Sequence, residues 1–288
     1  METGWLTIVT LFCWPVSDLT GLFYALFEVG TFESERSQEK MSQKQKKLVV
    51  WASAFALVFG ITPAVNAMHI MEGYLPAGYC ISWGVLCIPF LIAGFLSIQK
   101  TLRENRNLVT LLAMSGAFVF VISSLKIPSV TGSCSHMTGT GLGAILFGPA
   151  AVSVLGLIVL LFQAILLAHG GLTTIGANTF SMAIAGPFVS FGIYALCKKL
   201  NVNKKAGIFL AATLGDLFTY CVTAGQMALA HHADTTTGAA FGKFLLVFAP
   251  TQVPLAIIEG IITVLIVVGL ETYAKPELRA IGYLQEAK

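Results

Sequence analysis

Residues 141–168 read GLGAILFGPAAVSVLGLIVLLFQAILLA, and how this run is divided decides the fold. Apart from Ser153 and Gln163 it is apolar throughout, and it is longer than the roughly 20 residues that cross a bilayer as a helix. Gly148-Pro149 stands inside it. A proline has no N–H to give to the helical ladder and its ring clashes with the preceding turn, so a helix is interrupted there. The run therefore divides into a short apolar segment ending near Gly148 and a full span from about 150 to 168.

The rest of the chain has the same character. Hydrophobic residues make up 56% of it and charged residues only 11%, against roughly 25% in an ordinary soluble domain. Further apolar segments lie at 79–98, 108–125, 174–197, 206–230 and 250–272. The class is all-α, a polytopic membrane helical bundle. A formal net charge of +3 is too small to imply nucleic acid. The six cysteines (13, 80, 87, 134, 197 and 221) are scattered through apolar runs without CxxC spacing, which argues against a disulfide framework or a zinc ribbon.

Loop charge sets the expected orientation. Lys100, Arg103 and Arg106 mark one loop as cytoplasmic, and Lys198, Lys199, Lys204 and Lys205 mark another. The tail after Tyr273, with Lys275, Arg279 and Lys288, belongs on the same side. If residue 68 is outside, the stretch 141–197 must cross an odd number of times to reach Lys198 inside, and the break at Gly148-Pro149 supplies the odd crossing. The expectation is about seven crossings, with an extracytoplasmic mature N-terminus and a cytoplasmic C-terminus. All five histidines (69, 136, 169, 231 and 232) then fall on or near the extracytoplasmic side.

The front of the chain reads as a secretory signal at 41–67, MSQKQKKLVVWASAFALVFGITPAVNA. Lys44, Lys46 and Lys47 precede an apolar core from Leu48 to Ile61, and Val65 and Ala67 place small residues where a signal peptidase requires them. A retained first helix is the alternative. A signal does not normally follow some 40 residues of other sequence, so Met41 is read as the initiator and 1–40 as an upstream in-frame extension, the alternative being an extra anchor.

Cleavage after Ala67 leaves a chain beginning Met68-His69. A free α-amine, the His69 backbone nitrogen and the His69 Nδ1 can close adjacent five- and six-membered chelate rings on one metal. A planar nitrogen set suits Ni(II), Cu(II) or low-spin Co(II) better than Zn(II). The amine, with a pKa near 8, must lose a proton to bind, so acid should weaken the site. A fourth donor is sought in another outside loop. The candidate is SSLKIPSVTGSCSHMTGTGLGAILFGP (123–149), where His136 lies between Cys134 and Met137. Gly139, Gly141 and Gly143 lead from it into a span and argue for close backbone packing. Irregular backbone at membrane depth is tolerated only where protein or a cavity surrounds it.

Other polar groups are open to two readings. Glu72 could bond a ligating imidazole or serve as a helix-start carboxylate. His231 and His232 could collect metal or belong to a polar loop. Asp216 and Glu259 lie within apolar spans, where a carboxylate is by default functional or paired. Asn178, Thr179, Gln226, Thr251 and Gln252 fit interhelical hydrogen bonds. The chain has no GxxxxGK[ST], HExxH or GxSxG motif, so it is not read as an enzyme, and energy coupling falls to a partner. Two alternatives from other classes are a proton-coupled secondary metal transporter and an intramembrane metalloenzyme, each using Asp216 or Glu259.

MHIMEGYLP, the loop at 123–149, GLTTIGANTFSMAIAGP and TQVPLAIIEG occur in this order and resemble the substrate-binding component of cobalt/nickel energy-coupling-factor transporters, the CbiM/NikM type. The resemblance covers residues 68 to about 272. It implies seven helices and a processed N-terminus threaded into the bundle. It also implies Co(II) or Ni(II) held by the Met68 amine, the His69 amide nitrogen and imidazole, and His136, with no organic cofactor. The implied partners are a transmembrane coupling subunit, two cytoplasmic ATPases and a small auxiliary membrane subunit, and the implied role is metal supply for cobalamin synthesis. The cobalt branch is expected to read SHPTGTG where this chain has SHMTGTG, so the Met137 thioether could approach the metal axially or only pack. The expected division is a 1–40 extension, a 41–67 signal peptide, a 68–273 metal-binding bundle and a 274–288 cytoplasmic tail.

Overall fold

The computed structural model describes residues 69–125, 127–128, 134–232 and 236–284. The expected extension, the signal peptide and Met68 lie outside the described residues. Helix α1 is Ala77–Glu104 and α2 is Leu108–Ser124. A two-residue antiparallel ladder follows, Ile127–Pro128 (β1) with Cys134–Ser135 (β2), pairing Ile127 with Ser135. Then come α3 (Thr140–Phe147), α4 (Pro149–Leu166), α5 (Ile175–Lys199), α6 (Lys204–Ala230), α7 (Thr237–Tyr273) and the short α8 (Lys275–Ala280).

The run 141–168 breaks at Gly148, whose φ of 84° suits only glycine, and Pro149 opens α4 at a position where a missing N–H costs nothing. Among the described residues, α1, α4, α5, α6 and α7 are long and apolar enough to cross a membrane, and α2, at 17 residues, is just under that length. Helix α3 has 8 residues, about 12 Å, and cannot cross a core of about 30 Å alone. The buried stretch Ser135–Gly139 ahead of it would have to supply the remaining depth.

Helix α7 starts 13 residues earlier than its sequence suggests, at Thr237 rather than 250 (250 − 237 = 13). The helix runs through both Pro250 and Pro254. The Tyr220 hydroxyl of α6 donates to the carbonyls of Phe244 and Leu245, tying the first half of α7 to its neighbour.

Between helices the contacts are made by small residues. A methyl at Gly94 would collide with the Ala150 carbonyl of α4, one at Gly215 with the Ser190 hydroxyl of α5, and one at Gly260 with the Thr213 hydroxyl of α6. Lipid tails are as apolar as leucine, so such backbone approach, not apolar burial, drives helix association in a membrane. Conversely, α1 leaves Ile81, Val85, Ile92, Phe95 and Leu96 exposed, as a lipid-facing helix does.

The basic loops share one end. Leu111 near the start of α2, Ile208 near the start of α6, and Val267 and Leu278 at the C-terminal side form one apolar cluster. There Lys204 pairs with Glu271 at 2.7 Å and lies 4.4 Å over the Tyr283 ring. Residues 275–284 thus fold back on the bundle.

Candidate metal centre

At the other end, where α6 closes and α7 begins, the segment 69–76 is held against the loop before α5. Asn178 places a carboxamide against the Ile70 peptide: its Oδ1 accepts the Ile70 N–H at 2.8 Å and its Nδ2 donates to the Ile70 carbonyl at 3.0 Å. The Thr174 hydroxyl donates to the same carbonyl at 2.6 Å. The Ile70 side chain is buried with Leu75, Ala177, Tyr220 and Met227. At Gly171 a Cβ would lie 2.6 Å from the Glu72 backbone, so only glycine lets the two strands of chain approach. Asn178 leads directly into a π-helical stretch, Thr179–Ala185, a distortion that often marks functional sites.

Glu72 contributes from outside. Its carboxylate accepts the Thr173 N–H at 3.1 Å. The Thr173 hydroxyl, then the Thr173 and Leu172 N–H groups, hold it below the usual carboxylate range against a weaker opposing effect of burial. A lowered folded pKa means that this tie is present at neutral pH and is lost as the pH falls through that lowered value.

His136 approaches from the opposite side. Its carbonyl accepts from Gln252 Nε2 at 3.2 Å, and the same Nε2 donates to Asp216 Oδ2 at 2.6 Å. Two residues on, the Thr138 N–H donates to Glu259 Oε2 at 2.6 Å and the Thr138 hydroxyl to Oε1 at 3.0 Å. Gly139, the N-cap of α3, has no capping side chain of its own. Glu259, from α7, anchors the residue just ahead of that cap. Asp216 and Glu259 are thus neighbours behind the His136 loop, each fully buried. Neither is near enough to the imidazoles to join their cluster.

The two histidines meet at their nitrogens. His136 Nδ1 donates to the Met137 carbonyl at 2.8 Å, which fixes the tautomer and makes Nε2 the acceptor nitrogen of the ring. That Nε2 stands 2.6 Å from His69 Nδ1. The ring centres are 4.5 Å apart, farther than the facing nitrogens, and the planes differ by 22°, so the rings meet edge to edge. Two adjacent donors about 2 Å from one metal are themselves about 2.8 Å apart. The pair therefore has the separation of two cis ligands. A cavity of about 10 Å³, room for one water-sized group, is lined by His69, His136, Thr138, Asn178, Ser181 and Met182 among others.

His169 is the residue that sequence reasoning left without a role. It follows α4, is 2% exposed, and sets its ring centre 4.4 Å from that of His69 and 5.0 Å from that of His136. A nitrogen from each of the three rings lies within 4.8 Å of the others. The available signal was its placement between a span end and Gly170-Gly171, on the side that the crossing parity assigns to His69 and His136. Other candidates stand elsewhere. The Met137 side chain packs with Ile122 and Leu255, and it is the Met137 carbonyl that serves the imidazole. His231 Nε2 bonds the Tyr74 carbonyl at 2.8 Å, and His232 is exposed. The Cys134 side chain lies outside the described residues. Asn178 and Gln252 hold the histidine-bearing segments, a task that the expected helix–helix bonding did not include.

The family model described as cobalt uptake substrate-specific transmembrane region, CbiM, matches residues 69–278. The chain belongs to the CbiM family. A relative from Lachnoclostridium phytofermentans named cobalt transport protein CbiM is 73% identical over 243 residues, 84% of this chain and 97% of its own. Another of that name from Ruminiclostridium cellulolyticum is 54% identical over 236 residues, 82% of this chain and 95% of its own. A crystal structure described as a truncated transition metal transporter superposes with a TM-score of 0.63 at 28% identity, covering 71% of this chain and 99% of that one. These CbiM relatives are named as transport proteins, in keeping with a transport component and not an enzyme.

Proposed function

We propose that this chain is the metal-binding membrane subunit of an ATP-driven energy-coupling-factor importer that takes up Co(II), with Ni(II) fitting the same donor set, for cobalamin synthesis. The observation that carries the reading is the 2.6 Å approach of His69 Nδ1 to His136 Nε2, with the Ile70 peptide next to His69 held by Asn178 and the His136 carbonyl held by Gln252, on different helices. In this reading a signal peptidase cuts after Ala67, and the freed Met68 amine and the His69 amide nitrogen complete a planar four-nitrogen set. Such a set suits low-spin Co(II) and Ni(II). The metal is cargo. The Met137 carbonyl keeps His136 in the binding tautomer, and Asn178 holds the Ile70 peptide so that the chelate rings close in register. Binding releases protons from the amine and the amide, so uptake weakens in acid.

The subunit lies in the plasma membrane with its mature N-terminus and the histidines extracytoplasmic and the basic loops inside. It works with a transmembrane coupling subunit, two cytoplasmic ATPases and a small auxiliary membrane subunit. Inserting one alanine between Ala67 and Met68, with cleavage before the new residue, puts a second amide between the amine and His69, so the planar set would fill without His136. Cobalt uptake by cells carrying the complete importer should then be lost. Uptake equal to that of the unaltered chain would refute the chelate.

A further inference from the structure

The planar chelate leaves His169 unused, yet the fold goes to some length to place it. Ala168 has φ 46°, a left-handed conformation that residues with a Cβ rarely adopt, and Gly170 on the other side has φ 80°. The His169 N–H donates to the Gln163 carbonyl at 3.1 Å, and Gln163 is anchored in turn by Nε2 donation to Ser123 Oγ at 2.7 Å. A Cβ at Gly170 would come within 3.5 Å of His69 Cβ, so the turn brings His169 directly against the N-terminal segment. The outcome is a buried ring standing at 64° to His69 and 70° to His136, with one nitrogen of each ring within 4.8 Å of the others.

We infer that His69, His136 and His169 form a second mode of metal binding at this centre: a three-imidazole site that captures a divalent cation before the planar chelate closes. Three neutral imidazoles with an open fourth position bind a divalent metal without removing any amide proton. Their nitrogens would need separations of about 3.3 Å around a tetrahedral ion, within reach of side-chain rotation from the spacing seen here. Closure to the chelate then forms metal bonds to the Met68 amine and the His69 amide nitrogen and breaks the bond to His169. The ammonium and amide protons pass to water. The inference rests on the proposed metal-uptake role of this centre, but not on the free amine.

That difference supplies the test. The chain beginning at Met68 is prepared with its amine acetylated, which removes the chelate, and is titrated with Co(II) in detergent. The expected product is a high-spin, tetrahedral Co(II) absorption spectrum. His169→Ala removes one of the three ligands and should weaken its formation by more than the roughly 10- to 100-fold that losing an outer hydrogen-bond partner costs. His169→Cys should restore binding and add a thiolate-to-Co(II) charge-transfer band, which a merely structural position would not produce. Absence of Co(II) binding by the acetylated chain, or a spectrum indifferent to both substitutions, overturns the three-imidazole site. If free-amine and acetylated chains give the same spectrum, sensitive to residue 169, the planar chelate fails and the three-imidazole site stands.

Discussion

Replacing His136 with alanine should lower the Co(II) affinity of the mature chain by more than the 10- to 100-fold that loss of an outer hydrogen-bond partner costs. His136 brings the donor that faces His69 Nδ1 at 2.6 Å, and its Nε2 lone pair is made available by Nδ1 donation to the Met137 carbonyl. The backbone carbonyl that Gln252 holds is untouched by the change, so the loop keeps its tether. The loss should therefore appear in calorimetric titration of the detergent-solubilised chain without a matching loss of thermal stability. A titration curve superimposable on that of the unsubstituted chain would contradict the assignment of His136 as a ligand.

The second large effect is expected at Glu259, through folding. Its carboxylate takes the Thr138 N–H and the Thr138 hydroxyl just ahead of α3. Glu259→Leu leaves the buried Thr138 N–H and hydroxyl without their acceptor, at about 1–3 kcal/mol each, so unfolding should become easier by about 2–6 kcal/mol. Glu259→Gln keeps one side-chain acceptor and should cost less. Denaturant unfolding in mild detergent measures both. Equal stability of the leucine and glutamine variants would show that Glu259 does not anchor the Thr138 segment.

Much of the architecture follows from local signals. Gly148-Pro149 divides the long apolar run because proline cannot continue a helix and glycine alone accepts the φ found there. His69 and His136 were separable from the other polar residues by their place beside a cleavage motif and in a Gly-rich loop. What resisted reading depends on partners far apart in the chain. Helix α7 runs through Pro250 and Pro254, residues whose local rule is to interrupt a helix. Asn178 and Gln252 look like any polar group in a membrane helix. Only the fold shows the first 108 residues from Ile70 and holding its peptide, and the second 116 residues from His136 and holding its carbonyl. His169 carries no motif of its own; its role emerges from ring contacts 100 and 33 positions away (169 − 69 and 169 − 136).

The account turns on the amine of Met68, because every residue before it would convert that donor into an amide. Edman sequencing of the protein isolated from its native membrane should read Met-His-Ile-Met-Glu, beginning at Met68. An N-terminus retaining any residue before Met68, or a blocked Met68, would contradict it.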